Sequence, residues 1–181
     1  MALLVSINAK TTEKIFYETS EKAGTTIPRT QAYLGLSEKR DGTFISANGH
    51  VRPKDHEPQS KPYIYQYEGP GWESDKVAFR TYFDSRNGKD IFGKTTSEMV
   101  TDKIGLKESY HELQDWGMDI LKVNNSLGAG ALAMLKGDSL YRLGDTDRAE
   151  AKILMNGPLT AKWLLDYDGW NVDGKSHDVE E

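Results

Sequence analysis

Turn-forming residues punctuate this chain so densely that few stretches have room for a helix, and that limits the fold more than anything else in the sequence. Asp41-Gly42, Gly69-Pro70-Gly71, Gly137-Asp138, Asp168-Gly169 and Asp173-Gly174 each mark a reversal, with short extended runs between them. Those runs are residues 3–7 (LLVSI), 31–36 (QAYLGL), 43–46 (TFIS), 63–67 (YIYQY), 76–83 (KVAFRTYF), 120–123 (ILKV), 131–135, 139–143, 148–155 and 159–167. Residues 131–135 and 139–143 form a predicted hairpin about Lys136-Gly137-Asp138, and 148–155 is assigned to strand by its neighbours despite a helical composition. Residues 11–22 (TTEKIFYETSEK) are the one amphipathic helix candidate, and 95–107 reads as an irregular excursion because Gly105 interrupts it. Many short strands without a recurring helix predict a mainly β protein, an antiparallel β-sandwich.

At 181 residues the chain has enough material for one core, so it is read as a single domain or a piece of a longer one. Its 37% hydrophobic content, with nine Tyr, five Phe and four Trp, is globular rather than disordered. A net charge of −5 supplies neither the basic footprint of a nucleic-acid binder nor a polybasic arm for an anionic membrane. No apolar run approaches the roughly 20 residues that span a bilayer. The opening residues lack the basic flank of an export signal, and the absence of cysteine excludes disulfides, thiolate metal sites and cysteine nucleophiles.

Phosphate loops, dinucleotide fingerprints, serine elbows and His-Glu-x-x-His helices are all missing. His50, His56, His111 and His177 are scattered, and the turn carboxylates fit no calcium-loop pattern, so neither a metal nor a cofactor is expected. Chemistry instead gathers in residues 67–94, where a strand sets Val77, Phe79 and Thr81 on one face and Ala78, Arg80 and Tyr82 on the other. Trp72, Glu73, Asp75 and Lys94 lie close by in sequence. A second cluster, Tyr110, His111, Asp115, Trp116 and Asp119, must meet the first across the sheet. Upstream, Tyr63, Tyr65 and Tyr67 alternate as though along one strand face, which would make them either a half-buried sheet face, the commoner case, or a sugar-stacking platform.

Flat aromatic faces beside mixed charges suit carbohydrate. Elimination from a uronate needs a cation at the carboxylate, a role open to Arg80 or Lys94, and a base and acid drawn from His111, Tyr110 and Tyr82. Hydrolysis would instead need facing carboxylates such as Glu73 and Asp115. Arg80 has a plainer reading as an ion-pair partner of Glu73 or Asp75.

Several ordered motifs carry a family resemblance. They are Trp72-Glu73-x-Asp75 leading to Phe79-Arg80, Gly88-x-Asp90-Ile91-Phe92-x-Lys94, Tyr110-His111 leading to Gly117-x-Asp119, and Ser126-Leu127-Gly128-x-Gly130. In these the chain resembles the bacterial family known as domain of unknown function 4861 over residues 65–170, and only loosely before residue 61. The resemblance implies a mutarotase-like supersandwich, a place in polysaccharide utilisation and a periplasmic or extracellular location. Members of that family are usually longer, which implies a sandwich continued beyond this chain's last residue. The combined expectation is a carbohydrate ligand, uronate-containing oligosaccharides included, and a lyase or hydrolase reaction. Catalysis is assigned to His111, Tyr110 and Arg80, and substrate binding to Trp72, Glu73, Asp75, Tyr82, Lys94, Asp115, Trp116 and Asp119. The alternative is a carbohydrate-binding module without catalysis.

Overall fold

A computed structural model describes residues 29–58, 61–124 and 126–181. The strand expected at 3–7 and the helix expected at 11–22 lie outside those residues. The described strands are, in chain order, β1 (Thr30–Tyr33), β2 (Gly35–Leu36), β3 (Ile45–Ser46), β4 (Gly49–Val51), β5 (Gly71–Ser74), β6 (Val77–Thr81), β7 (Lys89–Lys94), β8 (Gly117–Asp119), β9 (Ala133–Lys136), β10 (Ser139–Arg142), β11 (Arg148–Asn156), β12 (Ala161–Val172) and β13 (Lys175–Glu180). A five-stranded sheet in the order β1-β5-β6-β7-β8 faces a four-stranded sheet in the order β13-β12-β11-β4. Every strand pairing in both is antiparallel, as expected for a mainly β sandwich.

The alternation along β6 decides what each face of the five-stranded sheet does. Phe79 stacks on Trp72 of β5, with centroids 5.6 Å apart and planes 15° apart, on the face toward β12. There Trp163 donates its Nε1–H to the Gly71 carbonyl at 2.9 Å. The main core holds Leu34, Leu36, Tyr65, Phe83, Leu165, Tyr167 and Trp170, all buried. Ala78 and Arg80 point the other way, where a second cluster of Tyr33, Tyr67, Ala78, Phe92, Val100 and Ile104 lies beneath residues 95–116. A sheet covered on both faces can bury charge on either, and this one does.

Several details depart from the sequence reading. Tyr63, Tyr65 and Tyr67 do not line a strand. Residues Gln66–Glu68 form a 3-10 turn with Tyr67 at φ 38°, Tyr63 is exposed, and Tyr65 and Tyr67 enter different cores. The tertiary demand for a ring in each core overrides the local alternation. The strand expected at 120–123 is instead β8, three residues earlier, and β13 adds an edge strand that was not anticipated.

Gly117 pairs with Lys94 across β7 and β8 at φ 131°, and a Cβ there would fall 1.9 Å from the Gly93 carbonyl oxygen. Gly117→Ala is therefore expected to destabilise the chain by about 1–3 kcal/mol, visible as a lower urea midpoint with an unchanged denaturant slope.

Candidate functional site

Arg80 and Asp90 are directly opposed across the β6–β7 ladder, and their side chains are completely shielded from solvent. The guanidinium Nη2 donates to Asp90 Oδ2 at 2.8 Å and to the Tyr82 hydroxyl at 2.7 Å, and that hydroxyl donates in turn to Asp90 Oδ2 at 3.0 Å. Nη1 donates to the Tyr67 carbonyl at 2.8 Å and the Tyr110 hydroxyl at 3.1 Å, and lies 3.1 Å from Glu68 Oε2. The rings of Tyr82 and Tyr110 stand 4.2 and 4.9 Å from the guanidinium carbon, which adds cation–π attraction. Burial works against this charge, but Tyr110, Glu68 and Tyr82 outweigh it and hold the Arg80 pKa above its ordinary value. Tyr67 and Glu68 reach the guanidinium from a turn with φ of 38° and 72°, left-handed values that cost a non-glycine residue energy.

Polar anchors bring the second cluster over this group. Glu73 accepts from the backbone N–H groups of Val100 and Thr101, each at 2.8 Å, and from the Thr101 hydroxyl at 2.7 Å. Its other oxygen takes Lys94 Nζ at 2.7 Å, and that ammonium also donates to the Glu98 carbonyl at 2.6 Å. Gln66 donates to the carbonyls of Asp102 and Ile104 at 3.0 and 2.8 Å. Held in this way, residues 95–116 return to the sheet edge, where Asp119 N–H donates to the Tyr110 carbonyl at 2.7 Å.

The site opens to solvent at that edge. His111 Nδ1 lies 3.1 Å from Asp119 Oδ2, on a side chain 63% exposed, while the Asp119 side chain is only 4% exposed. The Tyr110 and His111 rings are 4.5 Å apart. Burial raises the Asp119 pKa; the Leu121 N–H pulls the other way, and the adjacent Asp90 carboxyl, within hydrogen-bonding reach, adds to the rise. On the other flank Glu68 accepts from the Tyr110 hydroxyl at 3.2 Å and from Arg86 Nη2 at 2.7 Å, and Arg86 also grips Asp84. Two guanidiniums therefore meet four carboxyls, Glu68, Asp84, Asp90 and Asp119. The arrangement is a buried charge network that ends beside one exposed imidazole, with a carboxyl oxygen 3.1 Å from its Nδ1.

Of the residues expected at the site, Arg80, Tyr82, Tyr110, His111 and Asp119 come together here. Arg80 takes its ion pairs from Asp90 and Glu68 rather than from Glu73 or Asp75. Glu73 and Lys94 form a pair with no exposed side-chain surface, so they hold the covering segment and do not face solvent. Trp72 lies on the opposite face of the sheet, between two clefts of about 230 and 240 Å³. Asp75 sits in the β5–β6 turn paired with Lys76 at 2.8 Å, Asp115 is exposed, and Trp116 packs edge-on against Phe92. Glu68, Asp84, Arg86 and Asp90 were not singled out from sequence as site residues. The hairpin marker Asn87-Gly88 does not supply the register: counted outward as a two-residue turn it sets Arg80 opposite Thr95, whereas the observed ladder closes through residues 82–88 and sets Arg80 opposite Asp90.

Among the described residues no three His, Asp or Glu side chains group as a metal site, and no helix is long and apolar enough to cross a membrane. A family model described as Domain of unknown function (DUF4861) matches residues 1–181. No curated protein and no solved structure matches the chain.

Proposed function

The chain belongs to the DUF4861 family, and from that premise we propose that it is a carbohydrate-processing protein in which His111 moves a proton to or from an oligosaccharide. The observation that carries the reading is the His111–Asp119 contact at 3.1 Å, exposed on one side and backed by Asp90 and Arg80 on the other. With Nδ1 beside the Asp119 carboxyl, the second imidazole nitrogen is left to meet the substrate, and proton transfer by a positioned side chain contributes typically 10²–10⁴-fold to rate. Tyr110, beside it, is the second candidate for proton transfer. Burial raises its pKa against the pull of Arg80, which favours the protonated, donating form.

Carboxylate-pair hydrolysis loses Glu73, which is sealed against Lys94, Val100 and Thr101. Lyase chemistry on a uronate-containing oligosaccharide keeps its base and acid in His111 and Tyr110, although Lys94 and Arg80 are both buried in protein ion pairs and neither reaches the substrate carboxylate. In the elimination the base takes the proton beside the substrate carboxylate, the C–O bond to the leaving sugar breaks as the C=C bond forms, and the acid protonates the departing oxygen. Arg80, with Nη1 and Nη2 both turned to protein partners, works as a positioning residue behind the reacting groups. A second reading, a sugar-binding module without catalysis, rests on Trp72, whose ring lines the cleft shared with Trp163 and the cleft shared with Phe79 and Leu159.

The deciding assay presents uronic and neutral oligosaccharides to the purified chain and follows both the ultraviolet absorbance of new C=C bonds and the release of reducing ends. Absorbance growing with uronate substrates is the expected result. No turnover on any substrate, with binding retained, would leave the module reading in its place.

A further inference from the structure

A second group of polar side chains lies where β4 runs into residues 52–58 and meets the β6–β7 turn. Arg52 sets its guanidinium 5.9 Å from the centre of the Phe83 ring and donates Nη2 to the Thr146 hydroxyl at 2.9 Å. Its Nη1 is buried without a hydrogen-bond partner, and among the described residues no carboxylate forms an ion pair with it. Asp84, which acts on Arg52 electrostatically, is already gripped by Arg86 through Nε at 3.0 and 3.1 Å. Asn87, 1% exposed, accepts from the Tyr167 hydroxyl at 2.8 Å, and its Nδ2 also lacks a partner. The Asn87 N–H donates to the carbonyl of Asp84 at 3.2 Å, and Asp84 follows Phe83, the ring beside the Arg52 guanidinium, so both unmatched donors border the β6–β7 turn.

Two histidines complete it. His50 Nδ1 lies 2.8 Å from the Tyr65 hydroxyl, and the rings of His50 and His56 meet the Tyr65 ring edge-on at 5.6 and 5.1 Å. Burial depresses the pKa of both. Glu38 opposes this at His50; at His56, Asp84 and Asp55 oppose it while Arg52 and Arg40 reinforce it. The result is a partly buried guanidinium with an unused N–H, a buried amide with an unused N–H, and two imidazoles held toward neutrality with no acid committed to them. Leaving such donors unmatched is costly, and an oxyanion with two acceptor oxygens matches them.

We propose that Arg52 and Asn87, flanked by His50 and His56, form a receptor for the carboxylate group of a small ligand, a site separate from the Arg80 cluster. Asp84, Arg86 and Glu68 connect the two clusters through hydrogen bonds, but the proposal stands whether or not His111 moves a proton.

The test is an imidazole NMR titration of the whole chain with glucuronate, glucose and sulfate in separate arms. Glucuronate should shift the His50 and His56 resonances saturably and raise their pH midpoints, because an adjacent anion favours the protonated ring. Glucose should do neither, and sulfate should act much more weakly. Arg52→Gln should weaken glucuronate binding at least tenfold. If that variant does not fold, Asn87→Asp places a repelling charge at a φ of 40° that aspartate tolerates, and should have the same effect. His111→Ala should leave the titration unchanged, which separates this site from the proposed reaction. Resonances that stay still up to roughly 50 mM glucuronate, where even a millimolar site is saturated, would overturn the proposal. An equal response to glucose or to sulfate would overturn the carboxylate assignment.

Discussion

Replacing Arg80 with leucine is expected to lower the free energy of unfolding by about 3–5 kcal/mol, the range for removing one partner of a buried ion pair. The side chain is fully buried and satisfies Asp90, Glu68, Tyr82, Tyr110 and the Tyr67 carbonyl together. Without it, Asp90 and Glu68 keep their desolvation penalty and lose their counter-charge. Leucine fills part of the volume, so the loss is electrostatic more than steric. Urea unfolding followed by tryptophan fluorescence measures it, and a change under about 1 kcal/mol would show that the network is held by its neighbours without Arg80. Arg80→Lys is expected to fall between the two, because a single ammonium keeps the charge but cannot present the fork that serves five partners.

The second large effect is functional. His111→Ala is expected to reduce turnover by roughly 10²–10⁴-fold while changing stability by no more than about 0.5 kcal/mol, as at other exposed positions. The separation is possible because the His111 side chain is 63% exposed, with Asp119 its one charged partner among the described residues. Initial rates on the best substrate of the panel, with affinity measured in parallel by calorimetry, distinguish the alternatives. A protein that only binds sugar keeps both its affinity and its absent turnover, whereas a catalyst keeps its affinity and loses its rate. Parallel loss of affinity and rate would assign His111 to substrate binding and not to proton transfer.

Much of the sheet was legible in the residues themselves. The alternation of Val77, Phe79 and Thr81 against Ala78, Arg80 and Tyr82 is the real division of β6, and the turn at Gly137-Asp138 does join β9 to β10. Residues 148–155 form a strand as their neighbours indicated, because β11 lies between β4 and β12 and gains ladder bonds on both sides. Where charged groups end up was harder to read. Glu73 and Lys94 have the composition of a binding site, yet they are buried because residues 95–116 fold over their side of the sheet. No local pattern announces that cover, since its anchors are backbone groups of Val100, Asp102 and Ile104. The left-handed turn at Tyr67 and Glu68 was hidden for a related reason, as both residues disfavour it locally and tertiary contacts impose it.

The covering segment is moored at both ends and left plain between. Glu73, Lys94 and Gln66 secure it from Glu98 to Ile104, and Trp116 and Asp119 secure its return, but residues 105–109 lie exposed. Their length and sequence can change without disturbing either mooring, as is common for surface loops on a rigid scaffold. A substitution or insertion in this short tip would therefore reshape the surface beside His111 while leaving both moorings as they are.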